Sequence, residues 1–162
     1  MTVKAGRKAQ SGAAAVEFAF VFPILFLLMY GVVVYAYTFV LQESISFAAQ
    51  EAAEAAVAVD PHAANPDALR DARVRAAAVA ILNWLPAAQK SRVTGTSGEQ
   101  VQIQYCAAGS GGLCPPDTDG VIVTLHFNMT TPDNLFPVLS MPLIGTVPPL
   151  PTQLTAQAVA RV

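Results

Sequence analysis

Residues 18–41 read FAFVFPILFLLMYGVVVYAYTFVL and contain no charged side chain. As an α-helix these 24 residues extend about 36 Å, because each residue adds about 1.5 Å. A hydrocarbon core is about 30 Å thick, so the stretch predicts a transmembrane helix. Pro23 and Gly31 agree with this prediction, since membrane helices carry both residues more often than soluble helices do. The alternative is a buried core helix, but a domain of this size has too little interior to hide so long a stretch.

The composition of the whole chain agrees with membrane attachment. Of its 162 residues, 54% are hydrophobic and only 12% are charged, whereas an average soluble domain is about 25% charged. The net charge of −2 provides no basic surface, which argues against nucleic acid as a partner. Two cysteines are too few for a structural zinc site or a disulfide-rich scaffold. We therefore expect a membrane protein with a modest domain outside the bilayer.

The charges on either side of the apolar run predict its orientation. Three basic residues precede it and three acids follow it: Lys4, Arg7 and Lys8 on one side, and Glu43, Glu51 and Glu54 on the other. Basic flanks stay in the cytoplasm, so we expect the N-terminus inside and the chain after about residue 42 outside. No second run is long enough to return, which predicts a single-pass protein. A secretory signal has a shorter apolar core and a small-residue cleavage site, and Gln42-Glu43-Ser44 offers none.

The residues before the apolar run, Ser11 to Phe18, read SGAAAVEF. A glycine after a basic leader, followed by AAAVEF and an apolar helix, resembles the processing site of class III type IV prepilins. The resemblance implies that a prepilin peptidase cleaves after Gly12, so that Ala13 is the first mature residue and Glu17 the fifth. Most type IV pilins begin with a methylated phenylalanine, and Ala13 departs from that pattern. The alanine-rich form with a proline in the apolar run instead resembles the TadE-like pseudopilins of the tight-adherence (Flp pilus) system, to which the TadF group is similar. The motif covers residues 7 to about 41.

The resemblance implies a function, a location and partners. The function is that of a minor pilin-like subunit, or pseudopilin, which acts in assembly of a tight-adherence (Flp) type IV pilus and supports surface adhesion. The location is the bacterial inner (cytoplasmic) membrane or the pilus itself, with the C-terminal domain extracytoplasmic. The partners are the prepilin peptidase, other pilins and pseudopilins, and the inner-membrane assembly platform. The alternative is an unprocessed bitopic envelope protein whose external domain binds a partner or ligand.

Glu17 has two interpretations. Cleavage would free an α-amine on Ala13, about 6 Å of helix rise from Glu17. In filaments of the family that the motif resembles, this carboxylate pairs with the N-terminal amine of a neighbouring subunit. Such pairing selects a register, because an unpaired carboxylate is costly in a low dielectric. In the alternative, Glu17 reaches the membrane interface and has no role in assembly.

Beyond the membrane the pattern predicts two helices. In residues 42–59 one alanine-rich face repeats at helical spacing; its members are Ile45, Ala49, Ala52, Ala56 and Val59. We expect this face to pack on its own domain, although a shaft made of several subunits would use it equally well. Asn65-Pro66-Asp67 predicts the start of a second helix, which runs to about Leu85 and is ended by Pro86. We expect Trp84 to anchor the core, and Arg70, Arg73 and Arg75 to form a solvated face.

From Lys90 onward the hydrophobic period changes to two. Apolar and polar residues alternate near 101–105, 121–129 and 154–162, which predicts three half-buried strands in one antiparallel sheet. The expected fold is therefore α+β: an N-terminal transmembrane helix continuing into an alanine-rich stem, a second helix and a small antiparallel β-sheet head. Residues 132–151 hold six prolines and many apolar residues. We expect them to cover the core as a lid, with a docking patch as the alternative.

These patterns divide the chain into four parts. Residues 1–12 are the basic leader, 13–41 the transmembrane helix, 42–59 the helical stem and 60–162 an extracytoplasmic α+β domain. In that domain Cys106 and Cys114 enclose a glycine-rich loop, and outside the cytoplasm we expect them to form a disulfide. The sequence shows no metal site, cofactor motif or catalytic constellation, so we do not expect an enzyme.

Overall fold

The apolar run forms part of one long helix. The computed structural model describes residues 11–130, 135–137, 139–141 and 145–162, and its first helix, α1, is continuous over Ser11–Val57. Pro23 lies inside this helix without ending it. The predicted leader residues Lys4, Arg7 and Lys8 lie outside the described residues.

The remaining elements form a small head on the second half of α1. They are the helix α2 (Pro66–Ile81), a 3-10 turn (Leu82–Trp84), the helix α3 (Ala87–Thr94), and the strands β1 (Gln102–Cys106), β2 (Gly120–Asn128), β3 (Leu139–Met141), β4 (Gly145–Val147) and β5 (Gln153–Arg161). β2 pairs antiparallel with β1 on one side and with β5 on the other, so that Val123 lies between Ile103 and Ala158. β3 and β4 form a separate antiparallel pair. This architecture confirms the predicted α+β fold.

The core lies where the alanine-rich face of α1 meets α2 and the sheet. All five predicted members of that face are buried, and Ala49, Ala52 and Ala56 have no exposed surface. The four of them that lie in α1 belong to one cluster with Val74 of α2 and Phe127 of β2, whereas Val59 follows the end of α1 at Val57. Alanine allows this close approach because its side chain is a single methyl group, so the packed elements are separated by little more than that group. The face therefore packs on its own domain, as expected.

The central strand is more buried than its sequence predicts. Val121, Val123, Leu125 and Phe127 face the helices and are fully buried, but Thr124 on the opposite face is also only 7% exposed. In the register of the sheet, Gln102 of β1 and Gln157 of β5 flank Thr124. The long side chains of these neighbours shield the middle strand, so the prediction of a half-buried strand is wrong for β2.

The end of the second helix differs from the prediction. α2 ends at Ile81, and Leu85 has an extended backbone, with φ −71° and ψ 145°. Pro86 explains this change, since a proline disfavours the helical conformation of the residue before it. Leu82 and Leu85 turn inward, whereas Trp84 is 52% exposed. The expectation that Trp84 anchors the core is wrong.

The sequence pattern also missed a short helix. Residues 90–94 belong to α3, in which the N–H groups of Gln89 and Lys90 donate to the Pro86 carbonyl. The helix ends at Gly95, whose φ of +72° favours glycine. Among its residues only Val93 and Thr94 are buried, so its apolar face is too short to produce a helical period.

The arginines of α2 do not all lie on a solvated face. Arg73 is exposed as expected. The guanidinium of Arg75 donates to the carbonyls of Gly98 and Val101, and thereby ties the turn before β1 to α2. Arg70 is partly buried and pairs with Asp67 at 3.0 Å. The prediction is therefore correct only for Arg73.

The proline-rich segment 132–151 contains the hairpin of β3 and β4. Leu135, Phe136 and Leu150 pack against the core. The ring of Phe136 meets that of Tyr37 edge-on, with centroids 5.5 Å apart. Residues 131–134, 138 and 142–144 lie outside the described residues. The described part therefore covers the core at these three residues, as a lid would.

We expect the alanine-rich face to tolerate no larger side chain. Ala52→Leu adds three carbon atoms at a position without free space, so it should lower the free energy of unfolding by about 1–3 kcal/mol. Denaturant unfolding of the full chain in detergent micelles, followed by near-ultraviolet circular dichroism, measures this change. The matched control is Gln50→Leu, which adds a leucine at an exposed position of the same helix and should change the stability by less than about 0.5 kcal/mol. Equal effects of the two variants would contradict the packing described here.

Candidate functional site

The residues of the predicted processing site lie together at the start of α1. Gly12, Ala13 and Glu17 occupy the first two turns of the helix, and all three are exposed. Ala13 and Glu17 are four residues apart and so lie on one helix face. The structure thus leaves the bond between Gly12 and Ala13 accessible from the side of the helix.

The fold does not require a glycine at position 12. A Cβ atom added to Gly12 would meet no other atom within 4 Å, and its φ is not positive. In a helix, glycine is about 1 kcal/mol less favourable than alanine. Neither backbone strain nor packing among the described residues explains this glycine.

The first part of α1 carries apolar side chains that are mostly exposed in the described part of the chain. From Gly12 to Met29 every residue except Leu27 is exposed, and Phe20 is 75% exposed. Phe18, Phe22 and Phe26 stack along one side at helical spacing, with successive centroids 5.4 and 6.2 Å apart. Among the described residues, one helix is long and apolar enough to cross a membrane. The chain is consistent with a single-pass membrane protein.

A second apolar surface follows on the side of α1 that faces away from the head. It comprises Val32, Val33, Phe39, Val40 and Phe47, each at least 50% exposed. We call it the outer face of α1. Because the opposite side of the helix is buried in the head, α1 presents apolar residues on both sides.

The two cysteines meet at the end of the sheet. Cys106 closes β1 and Cys114 follows the loop, with Cα atoms 6.0 Å apart. This separation lies in the range that a disulfide requires. A shallow cavity of about 560 Å³ adjoins the loop, and Gln104, Leu113 and Ile122 contribute to its lining. Among the described residues that line this cavity, none carries a charged side chain.

Two titratable groups of the head have shifted pKa values, and both have structural partners. Burial raises the pKa of Tyr105 above its usual range. The hydrogen bond that its hydroxyl donates to Asp71 Oδ1, at 2.7 Å, raises the pKa further. The N–H groups of Thr96 and Ser97 donate to the Glu99 carboxylate and lower its pKa from 4.5 to about 2. Tyr105 joins β1 to α2, and Glu99 closes the turn before β1.

The histidines likewise contact their neighbours and do not form a cluster. Nδ1 of His62 lies 3.4 Å from Asp60, and His126 lies 3.0 Å from the Thr155 hydroxyl. Within the described parts of the chain, no group of three or more His, Cys, Asp or Glu side chains is placed to hold a metal ion. Asp119 accepts a hydrogen bond from the Ala108 N–H and so orders the cysteine loop. The structure therefore assigns these polar residues to the architecture of the head.

Comparison with known proteins identifies one family. The sequence model of the family described as TadE-like protein matches residues 12–54. The match begins at Gly12 and includes Ala13 and Glu17, and it confirms the resemblance seen in the sequence over this part of α1. The similarity suggests an involvement in pilus assembly of the tight-adherence (Flp) type. No curated protein matches the chain, and no solved structure matches it.

We expect Cys106 and Cys114 to be oxidised to a disulfide in the cell. A closed loop of this length restricts the unfolded chain, so replacing both cysteines by serine should lower the free energy of unfolding by about 2–3 kcal/mol. The protein isolated from cells is denatured without a reducing agent and treated with a thiol label, which tests the oxidation directly. A sample that is reduced before labelling is the control. Full labelling of both cysteines before reduction would contradict the prediction.

Proposed function

We propose that the chain is a minor pilin-like subunit, or pseudopilin, of a tight-adherence (Flp) type IV pilus. In this role the protein is inserted in the bacterial inner membrane with its N-terminus in the cytoplasm and its head outside. A prepilin peptidase removes residues 1–12, and the mature subunit then contacts other pilins or pseudopilins and the assembly platform. The protein acts by assembly and not by catalysis.

The observation that carries this proposal is the position of the family match. It starts at the glycine of the proposed cleavage site and extends through Glu54, which lies in the part of α1 that packs in the head. The matched segment therefore contains both the processing motif and the helix that supports the head. An ordinary membrane anchor would need neither the glycine nor a carboxylate at the fifth position after it.

Cleavage at Gly12 fits the exposure of the site. Hydrolysis of the peptide bond between Gly12 and Ala13 leaves a carboxylate on Gly12 and an α-amine on Ala13. A side chain at position 12 would meet no other atom of this protein within 4 Å. The lack of a side chain there therefore matters only to another molecule that binds at Gly12. An enzyme that binds close to the backbone requires a small, unobstructed residue at that position.

Glu17 gives the mature N-terminus a charge partner. After cleavage Ala13 carries a positive charge, and Glu17 is exposed one helical turn away. In a membrane a lone carboxylate is costly, and contact with an amine offsets this cost. Because the amine of a neighbouring subunit can supply the contact, the pair selects the axial position of one subunit relative to the next.

The outer face of α1 supplies the apolar surface that such assembly needs. The inner side of the helix already packs against the head, so a neighbouring helix can reach only the opposite side. Val33 and Phe39 of the outer face are 60% and 69% exposed. Burial of such side chains between subunits is favourable at about 25 cal/mol per Å² of apolar surface.

The first test determines the N-terminus of the mature chain. In cells with an active prepilin peptidase, we expect mass spectrometry of the native protein to find Ala13 as the first residue. Gly12→Ala should slow or block cleavage, because a methyl group then stands at the cleaved bond. Gly31→Ala is the matched control, since Gly31 also lies in α1 with open space around its Cα, and it should be cleaved normally. An intact Met1 or Thr2 terminus in the native protein would refute processing.

The second test separates insertion from assembly. Glu17→Gln keeps the size of the side chain but removes its charge, so we expect normal membrane levels and cleavage with a loss of piliation and surface adherence. Glu54→Gln removes a carboxylate from an exposed position higher on α1 and should leave piliation unchanged. Both variants are expressed in a deletion strain, and membrane level, the N-terminus and pilus formation are measured together. A Glu17→Gln protein that is abundant, processed and fully functional would show that Glu17 has no role in assembly.

A further inference from the structure

The head contacts α1 within the apolar run, well before that run ends. The Tyr30 hydroxyl donates to the Pro137 carbonyl at 2.6 Å, and the Tyr35 hydroxyl donates to the Pro149 carbonyl at 3.1 Å. Val34, between the two tyrosines, is 1% exposed. Pro137 and Pro149, on either side of the β3–β4 hairpin, therefore lie beside helix residues that the sequence places in the membrane.

Helix geometry gives the depth of this contact. A hydrocarbon core of about 30 Å needs about 20 helical residues, so a core that begins at Phe18 ends near Tyr37. Tyr30 then lies seven residues, or about 10 Å, below the outer boundary. If the core begins at Ala13 instead, its outer boundary falls near Val33 and Tyr30 still lies within it. In both cases Pro137 is drawn below the outer boundary.

We propose that the membrane-proximal end of the head is a lipid-binding surface that enters the outer leaflet of the membrane crossed by α1. We call it the basal surface and define it by the exposed residues Trp84, Pro137 and Pro149. The occupant is the acyl-chain and headgroup boundary of that leaflet. This inference rests on the membrane placement of α1 in the proposed function.

The composition of the hairpin segment suits this environment. Residues 134–160 contain no Asp, Glu, Lys or Arg. Six prolines fall within residues 132–151, and each lacks the backbone N–H that would need a partner away from water. β3 and β4 pair with each other, and two of the proline carbonyls accept tyrosine hydroxyls. In the described part of the segment these backbone groups therefore keep their partners when Pro137 and Pro149 enter the interface.

Trp84 provides an independent observation near the outer boundary, at the level of Tyr37. The Tyr37 hydroxyl donates to Gln89 Oε1 at 2.6 Å, which places the start of α3 beside Tyr37. Lys90 donates to Asn83 at 3.0 Å and so holds the turn containing Trp84 against α3. Trp84 is 52% exposed in this turn, and tryptophan favours the membrane–water interface. Its exposure, which core packing does not explain, is accounted for by contact with lipid.

The opposite end of the head has a different character. β2 leads from Gly120, beside the cysteine loop, to Asn128, next to the hairpin segment. These two ends are about 26 Å apart at the rise of a strand. Leu113 of the cysteine loop is exposed at the distal end and serves as a reference point away from the bilayer.

The consequence is a head with two attachments to the membrane. α1 anchors it, and the basal surface fixes its height and its tilt relative to the bilayer. Amphipathic surfaces of this kind enter a leaflet to a depth of about 5–10 Å. A subunit that leaves the membrane during assembly must release the basal surface together with its helix.

The native protein contains a single tryptophan, Trp84, which makes a direct test possible. The full chain is reconstituted in vesicles of phosphatidylethanolamine and phosphatidylglycerol, with or without lipids brominated near the headgroup end or the methyl end of the acyl chain. We expect lipid brominated near the headgroup end to lower Trp84 emission at least about twofold, and lipid brominated at the methyl end to quench it less, given the depth of an interfacial surface.

Three variants in a Trp84→Phe background complete the experiment. Pro137→Trp, which keeps the carbonyl that Tyr30 contacts, should be quenched as Trp84 is. The tryptophan emission of Leu113→Trp should not be quenched. That of Phe20→Trp should be quenched, because Phe20 lies in the exposed first part of α1, between Gly12 and Met29. One outcome overturns the inference: brominated lipid quenches the emission of Phe20→Trp but not that of Trp84, Pro137→Trp or Leu113→Trp. The head then does not contact the bilayer. If Phe20→Trp is not quenched either, α1 does not enter the membrane, and the placement in the proposed function fails first.

Discussion

Burial of the alanine-rich face of α1 is the contact on which the rest of the head depends. Ala49, Ala52 and Ala56 bring α1 close to α2 on one side and to the sheet on the other. The sheet has only three strands, which alone bury little apolar surface. Because α2, β2 and β5 all pack on this one helix, the core of the head is built around α1.

This arrangement divides one helix between two environments. Among the described residues, α1 is exposed from Gly12 to Met29 except at Leu27, whereas Leu41 and Ile45 are fully buried. The transition occurs around Tyr30 and Val34, where Pro137 contacts α1. Since no loop or break separates the two parts, the orientation of the head follows the orientation of the first part of α1.

The residues proposed for processing and assembly lie away from the packed head. Gly12 and Glu17 make no contact that the fold needs, and they fall within the segment that matches the TadE-like family. The first part of α1 separates these residues from the head, so that a substitution at Gly12 or Glu17 leaves the packing of the head unchanged.

The sequence by itself determined the features that depend on local patterns. A long uncharged run, an alanine-rich helical face and three alternating segments were sufficient for α1, its packed side and the strands β1, β2 and β5. The glycine and the glutamate before the run were sufficient for the family resemblance. Each of these signals repeats over many residues or has a fixed spacing, so it can be recognised in the sequence without knowledge of the fold.

Tertiary structure alone decided where single residues point and what they contact. Trp84 faces outward in the 3-10 turn, whereas its neighbours Leu82 and Leu85 are buried. Arg75 leaves the solvated face because two carbonyls of a distant turn accept hydrogen bonds from its guanidinium. Pro137 lies beside Tyr30 although 107 residues separate the two in the chain. Such contacts are set by the packing of the whole chain around α1, and no local period in the sequence encodes them.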